Sequence, residues 1–489
     1  MLMPMRKGLM IDITATYTDQ YELTMGQAYF LAGRKDQRAT FDYFYRKTPF
    51  NGGYAVFAGL PDALAALAHF RFDHEDLAFL RAQGFHRDYL AYLENFRFTG
   101  TLCACREGDL IFPAAPIVRV QGTLIEAQLV ETVLLNILNF QSLIATKASR
   151  MRIAAKEGML IDFGLRRAQA LGGYHASRAA VVGGFDATSN VRAARDFNLR
   201  PSGTMAHSYV QSHESELTAF RSFAEARPDD CVLLVDTYDT LHSGVPNAII
   251  VAREMAKKGQ RLKGIRLDSG DLAYLAKRSR AMLDAAGLPD VQIAASNQLD
   301  EYVIKSLLDQ QAPIDVFGVG TSLVTGQPDA ALDGVYKLAH VDGKPVIKLS
   351  ENESKITLPH QKQVWRAYDD QGAFLGADAV GLDDEENIPI MHHPFVPHKS
   401  FALEGHTTEP LLHRVMQNGL LTSDPPSLPQ TAQYCRERLA LLPVEYKRFD
   451  NPHIYKVGIS TKLKTLRDRL IAQYKMGKDA PGSPSANTP

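Results

Sequence analysis

Several short stretches of this chain gather the residue types that handle anions. "GIRLDSGDL" sets Arg266 two residues before Asp268, followed by Ser269, Gly270 and Asp271. Carboxylates accept hydrogen bonds from ribose hydroxyls, and an arginine fork meets phosphate or carboxylate oxygens, so this run suits a sugar phosphate. The same run also reads as a plain strand-to-helix turn with Asp268 or Ser269 as the helix cap. "VFGVGT" places Gly318, Gly320 and Thr321 after an apolar strand, where glycines let backbone N–H groups close on an anion or simply make a tight turn. "DFGLRRA" offers Asp162, Phe163, Arg166 and Arg167. An aromatic face beside guanidinium groups suits a flat anionic ring, stacked on one side and paired through its carboxylate; the alternative is an arginine pair on the surface. "GGFDATSN" is a similar glycine-to-hydroxyl turn in which Asp186 is either functional or a cap.

"PSGTMAHSYVQSH" holds His207 among small neighbours, with Gly203 and Thr204 before it and Ser208 after it. An isolated histidine is commonly structural, but small neighbours leave room for a bulky ligand beside the ring. Imidazole near neutral pH acts as general base or nucleophile, and attack through one nitrogen asks for an orienting group on the other. Asp236, at the end of "CVLLVD", is the carboxylate expected for that place. His392, His393 and His398 in "IMHHPFVPH" have no metal-ligand spacing, and Cys103 and Cys105 form only a Cys-x-Cys in a strand. There is no P-loop, GxGxxG or GxSxG.

These residues need a frame. From about residue 159 apolar runs ("GMLID", "CVLLVD", "KGIRLD", "VQIAAS", "PIDVFGVG") alternate with helical stretches such as "PNAIIVAREMAKKG" and "LAYLAKRSRAMLDAAG". Strand alternating with helix predicts βαβ units and a parallel sheet. The last four runs end at Asp236, Asp268, Ser296 and Gly320, spacings of 32, 28 and 24 residues, as in (β/α) barrel units. In a barrel those ends share one rim, where catalytic groups gather; an open doubly wound sheet would collect them along a crevice. Ahead of this rhythm, Asp19 and Glu22 predict a capping box on a helix carrying Tyr21 and closed by Gly33. "ATFDYFYRK" reads as a strand, 59–95 as three helices, and "VYKLAHVDGKPVIKLS" as a hairpin turning at Asp342 and Gly343.

The composition is that of an ordinary globular protein. The 489 residues allow two or three domains, and 54 Lys+Arg against 55 Asp+Glu argue against nucleic acid or an anionic membrane as partner. Four scattered cysteines fit a reducing cytoplasm better than a disulfide framework. Asp12 interrupts the apolar residues behind Arg6 and Lys7, so no signal-peptide core is expected, and "LVETVLLNILNFQSLIATKASR" reads as a buried amphipathic helix.

Taken together the stretches resemble the nicotinate phosphoribosyltransferase family. The likeness runs from "TDQYELTMGQAYF" and "EGDLIFPAAPIVRVQG" through "GGFDATSN", "GTMAHS", "LVDTYDT", "GIRLDSGDL" and "VFGVGT" to "GVYKLAHVDGKPVIKLSENESKITLP" and "KQVWR", about residues 12–370. It implies an α/β fold, an irregular (β/α) barrel packed against an α/β sandwich. The expected segments are 1–145 (sandwich), 146–335 (barrel), 336–475 (completing the sandwich and packing on the barrel) and a disordered tail 476–489. The family joins nicotinate to 5-phosphoribosyl-1-pyrophosphate (PRPP) with Mg²⁺ and couples this to ATP hydrolysis through a phosphohistidine. The resemblance puts His207 at that histidine and Asp236 at the carboxylate beside it. It puts nicotinate against Phe163, Arg166 and a Tyr21 reaching over from the second subunit of a homodimer. PRPP and phosphate fall to Thr204, Ser208, Arg266, Asp268, Ser269, Asn297, Gly318, Gly320 and Thr321, with no dedicated metal ligand. A nicotinamide-using enzyme of the same fold, a decarboxylating quinolinate enzyme and a catalytically dead nucleotide-binding relative are the alternatives; "GTMAHS" argues against the quinolinate enzyme.

Overall fold

The computed structural model describes residues 13–352 and 355–476, so the amino-terminal stretch with Arg6, Lys7 and Asp12 and the tail beyond Met476 lie outside the described residues. The chain divides into two compact units, one formed by Met1–Ser142, Leu332–Pro426 and Glu437–Pro489, the other by Leu143–Ala331 and Ser427–Arg436.

The first unit is built on two sheets. Seven strands pair antiparallel in the order Lys344–Pro345, Gly334–Val341, Arg38–Tyr45, Val118–Thr123, Thr101–Ala104, His413–Gln417, Leu420–Leu421. The predicted hairpin is present: Val341 pairs with Lys344, and Asp342 and Gly343 have φ of 49° and 78°, the left-handed pair that a two-residue hairpin turn requires. The second sheet runs Ser400–Ala402, Ile390–His392, Lys456–Ser460, Phe374–Leu382, Lys362–Tyr368, Thr408–Pro410, with one parallel pairing, between Phe374–Leu382 and Lys456–Ser460. Arg366 is fully buried beneath it and forks onto both carboxylate oxygens of Asp378 (3.0 and 2.9 Å), with Asp109 Oδ1 and the Leu110 carbonyl each at 2.7 Å. A buried guanidinium is tolerable only when paired in this way.

The helix Gln20–Leu31 corrects one expectation. It starts after Asp19 and ends before Gly33, whose φ is 69°, but Asp19 makes no side-chain cap and the capping box does not form. Glu22 is instead buried and accepts from the backbone N–H (3.0 Å) and hydroxyl (2.5 Å) of Thr132, and from Thr18 Oγ1 at 2.5 Å. A tertiary contact with the start of the helix Glu131–Ala155 outweighs the local cap. The helices Leu60–Ala68, His74–Ala82 and Arg87–Glu94 fill the stretch predicted for three.

The second unit carries six parallel strands, in the order Ala187–Thr188, Met159–Asp162, Val316–Val319, Gln292–Ser296, Gly264–Leu267, Val232–Leu234. Helices Ala170–Val182, Val245–Lys257, Leu272–Ala285 and Glu301–Asp309 alternate with them as the sequence rhythm requires. Among the described residues the edge strands Ala187–Thr188 and Val232–Leu234 are not paired to one another. Because every strand points the same way, the residues after their carboxyl ends lie along one margin of the sheet. The helices Leu124–Leu129 and Glu131–Ala155 are together long and apolar enough to cross a membrane, yet 67% of their most apolar window is buried inside the fold.

Burial without a cation raises the Glu22 carboxyl to about 7 from 4.5. The folded state thus keeps a proton that the unfolded chain releases near 4.5, and its stability falls as pH climbs from there towards 7. Glu22→Gln should therefore gain on the wild type with rising pH, by about 3 kcal/mol above pH 7. Urea midpoints at pH 5 and pH 8 check this; an offset that does not change with pH contradicts it.

Candidate active site

The carboxyl ends of the parallel strands in the second unit hold most of the residues singled out above. Arg266, near the end of Gly264–Leu267, donates from Nη1 to Thr204 Oγ1 at 2.8 Å, while its Nε is buried with no hydrogen-bond partner. Burial lowers the guanidinium's pKa, and the nearby charges of Asp268 and Asp236 offset that only in part. Neither carboxylate is bonded to it. Its Cζ lies 5.9 Å from the centre of the Phe163 ring.

The turn after that strand resolves the ambiguity of "GIRLDSGDL". The cap of Leu272–Ala285 is Asp271, which accepts from Tyr274 N at 3.0 Å, so Asp268 and Ser269 are not used as caps. Asp236 Oδ2 accepts from the backbone N–H of Asp268 (2.9 Å) and from Ser269 Oγ (2.6 Å). Its Oδ1 is buried without a partner. Gly270 has φ of 77°, which lets the chain double back at that point. Ser296, closing Gln292–Ser296, donates a short hydrogen bond from Oγ to Asp268 Oδ1.

His207 opens the short helix His207–Gln211 and is 39% exposed. Its Nδ1 lies 3.1 Å from Thr237 Oγ1, and its Nε2 is 3.8 Å from Asp268 Oδ2. The group expected beside the ring was Asp236. In the structure that carboxylate is spent on the 268–269 turn, and Thr237 and Asp268 are the groups that face the imidazole. Thr237 was missed, although it directly follows Asp236 in the quoted "LVDTYDT"; a hydroxyl gives no charge signal by which to single it out. The sequence marks Ser296 only as a strand end.

The ring pocket is built around Phe163. Its N–H donates to Val319 O at 2.7 Å, and the ring lies so close over Gly318 that a Cβ there would strike it. Arg166 is exposed, and its charge adds a little to the lowering of the Arg266 pKa. Asp162 turns inward instead. Its carboxylate accepts from Gly164 N (2.8 Å), Ser177 Oγ (2.7 Å) and Thr188 Oγ1 (2.8 Å), which fixes the turn bearing Phe163. Asp186 is also structural: it pairs with Arg152 and accepts from Leu160 N at 2.8 Å. Asn297 sits past Ser296 at φ of 83°, in the left-handed region that asparagine enters more readily than most side chains. Gly320 precedes the helical turn Thr321–Val324, and Ser208 is exposed in the helix of His207. Tyr21 belongs to the first unit, where it is 45% exposed and where partial burial and Glu131 push its phenol upward.

The strand-end margin thus gathers a guanidinium without a carboxylate partner, two carboxylates, a half-exposed imidazole and glycine-rich strand ends. The chain belongs to the nicotinate phosphoribosyltransferase family: the family's N-terminal domain matches residues 16–139, its central family model 159–392 and its C-terminal domain 361–467. It is 44% identical over 480 residues to the nicotinate phosphoribosyltransferase of Bacillus subtilis, with 96% of this chain and 97% of that one covered. Identity to the enzyme of that name from Mycobacterium tuberculosis is 41%, over 96% and 98% of the two chains. The human nicotinic acid phosphoribosyltransferase structure superposes with a TM-score of 0.83 at 31% identity, covering 93% of this chain and 99% of that one. A nicotinate-nucleotide pyrophosphorylase from Pyrococcus furiosus shares the fold at 23% identity and a TM-score of 0.71, over 89% and 99%.

The bond from Asp236 to the Asp268 amide has a direct readout. Asp236→Asn should lower hydrogen-exchange protection in the peptide spanning 264–275 by about tenfold, the loss expected when a charge-assisted bond is weakened by roughly 1.5 kcal/mol. Unchanged protection would show that the carboxylate does not hold the turn.

Proposed function

We propose that this protein is a nicotinate phosphoribosyltransferase, forming nicotinate mononucleotide and pyrophosphate from nicotinate and PRPP, coupled to ATP hydrolysis through His207. The observation that carries the reading is Arg266: a half-buried cation with no bound carboxylate, flanked by Asp268, Phe163 and the Gly318–Gly320 strand end, in a chain of this family.

In this reading Arg266, Thr204, Ser208, Asn297, Thr321 and the backbone N–H groups near Gly318 and Gly320 take the phosphates of PRPP. Phe163 stacks on the pyridine, and Arg166 pairs with its carboxylate. The pyridine nitrogen forms a bond to the ribose carbon as the bond to pyrophosphate breaks. Positive charge develops on the sugar, and the carboxylates of Asp268 and Asp236 favour it. Mg²⁺ neutralises charge on the departing oxygens when bound. The residues fit a cation carried by the substrate: Asp236 Oδ1 is buried and free to accept, while no group of three His, Cys, Asp or Glu side chains among the described residues makes a metal cage. Mg²⁺ typically keeps waters and phosphate oxygens and takes only one or two carboxylates.

Thr237 on Nδ1 leaves Nε2 of His207 as the nucleophile for the γ-phosphoryl group of ATP. The Nε2–P bond forms as ADP leaves, and water later takes the phosphoryl group. The added charge would stand beside Asp268 and Arg266 and so alter how the site holds PRPP and product. We further propose that the six-strand sheet belongs to an irregular (β/α) barrel, helped closed by the 197–210 segment, which already bridges Thr188 to Pro201. In the same proposal the segments 1–145 and 336–475 form the sandwich, and Tyr21 completes the site of a second subunit in a homodimer. The four cysteines are buried, and Cys103, Cys105 and Cys231 form no disulfide among the described residues, which is in keeping with a reducing cytoplasm.

Incubating the protein with PRPP, ATP and Mg²⁺ should convert nicotinate to its mononucleotide and leave nicotinamide largely unused. Arg166→Ala should raise KM for nicotinate about tenfold or more, from the loss of a charge-assisted bond worth roughly 1.5 to 3 kcal/mol. Equal use of both pyridines contradicts the ring pocket, and no product from either points to a catalytically dead relative. Mixing and exchanging Tyr21→Ala with His207→Ala protomers should restore activity, because one site of each hybrid is then intact; no recovery places the whole site within one chain.

A further inference from the structure

Two segments of the second unit meet at the His207 imidazole, and the buried carboxylate of Glu216 joins them a second time. The first segment is the helix His207–Gln211 with the helix Glu216–Ala226 that follows it. Tyr209 Oη donates to Ser222 Oγ at 3.2 Å, and the Tyr209 ring packs edge-on against Phe223, so the short helix of His207 is braced on the longer one. The second segment runs from Thr237 through a single π-helical turn, Thr240–Gly244, into the helix Val245–Lys257. Asp239 caps that turn, accepting from the N–H groups of Leu241 (3.1 Å) and His242 (2.9 Å), and its carbonyl accepts from Gly244 N at 2.8 Å. Gly244 lies so close to the Val235 carbonyl that a Cβ there would strike it, which sets the turn against the strand end that leads into Thr237. Turns of this kind are rare and frequently mark functional sites.

Glu216 Oε2 accepts from Ser243 Oγ (2.5 Å) and from Asn247 Nδ2 (2.9 Å), while Oε1 is buried with no hydrogen-bond partner. Glu216 forms no ion pair among the described residues. A buried carboxylate met only by a hydroxyl and an amide, with one oxygen unserved, is a costly way to fasten two helices for stability alone. The same two helices are also joined by Arg221 and Glu254, an exposed pair of the kind that contributes little. What distinguishes Glu216 is its place. It begins the helix that braces His207 and grips the π-helical turn itself, and just ahead of that turn stands Thr237, whose Oγ1 lies 3.1 Å from His207 Nδ1. A shift of about 1 Å in a reacting group can cost on the order of a hundredfold in rate, even when its cause lies away from the chemistry.

We infer that Glu216 is a positioning residue for His207: it clamps the π-helical turn so that the Thr237 hydroxyl holds Nδ1 and leaves Nε2 to the incoming phosphoryl group. The inference rests on the reading of His207 as the group that takes phosphate from ATP. In that arrangement Nδ1–H donates to Thr237 Oγ1, and the lone pair of Nε2 attacks phosphorus. Rapid-quench labelling of the intact protein with γ-labelled ATP measures the step. At saturating ATP, Glu216→Ala should take up label about tenfold or more slowly than wild type, with the ATP concentration for half-maximal rate changed by less than about twofold. Glu216→Gln, which keeps an acceptor oxygen, should recover most of the rate, and Arg221→Ala, which cuts only the exposed link, should label as wild type does. Because Glu216 acts through Thr237, the Glu216→Ala change should slow labelling little further in a Thr237→Val background. Thermal melting checks that each variant is folded. If Glu216→Ala is not, Ser243→Ala carries the same test from the other side of the bond, with labelling about threefold slower. The inference is overturned if the folded Glu216→Ala or Ser243→Ala labels as fast as wild type, if Glu216→Gln is no faster than Glu216→Ala, if Arg221→Ala is equally slow, or if the Glu216→Ala and Thr237→Val effects multiply. Absence of label on wild type is a different failure, since it removes the reading of His207 and this inference with it.

Discussion

A guanidinium drawn out of water and left without a carboxylate is the constraint on which the rim depends. The fully buried cations Arg366, Lys147 and Arg150 are paired, the first with Asp378 and Asp109 and the other two with Glu301. Arg266 has only a neutral hydroxyl, with Asp236 and Asp268 near enough to keep it charged but engaged elsewhere. Such an arrangement is costly unless an anion completes it. Each neighbour can be understood from that cost. Asp236 is spent on the backbone of the 268–269 turn, Asp268 is held by Ser296 and faces His207, and the Phe163 ring covers one side of the pocket.

The sheet supplies the precision. Parallel strands end at one margin, and side chains just past those ends are anchored by the strands instead of by loops. Gly318 can only be glycine because the Phe163 ring occupies the space of its Cβ, and the ring is where it is because the buried Asp162 ties the following turn to Ser177 and Thr188. An acid at a strand end therefore need not be catalytic: Asp162 and Asp186 serve the scaffold, while Asp236 keeps one oxygen without a partner and Asp268 faces His207.

Much of this was legible in the sequence, for definite reasons. The βα rhythm after residue 159 is a periodic signal, and the five runs read as strands are parallel strands in the structure. The Asp342–Gly343 turn was legible because few sequences adopt two consecutive left-handed residues. The capping box at Asp19 failed because Glu22 found a tertiary partner, Thr132, more than a hundred residues away in sequence. The neighbours of His207 were beyond reach for the same reason. Whether Asp236 or Asp268 turns towards an imidazole some thirty to sixty residues distant depends on a backbone turn, and neutral Thr237 carries no pattern at all.

The account stands on His207 being the group that takes phosphate from ATP at the rim organised by Arg266. The most direct measurement is covalent label from γ-labelled ATP on the intact protein. The account predicts an acid-labile, base-stable label on wild type that is absent from His207→Asn and survives in Tyr21→Ala. No label on the wild type, or equal label on His207→Asn, would contradict it and leave the histidine a structural residue.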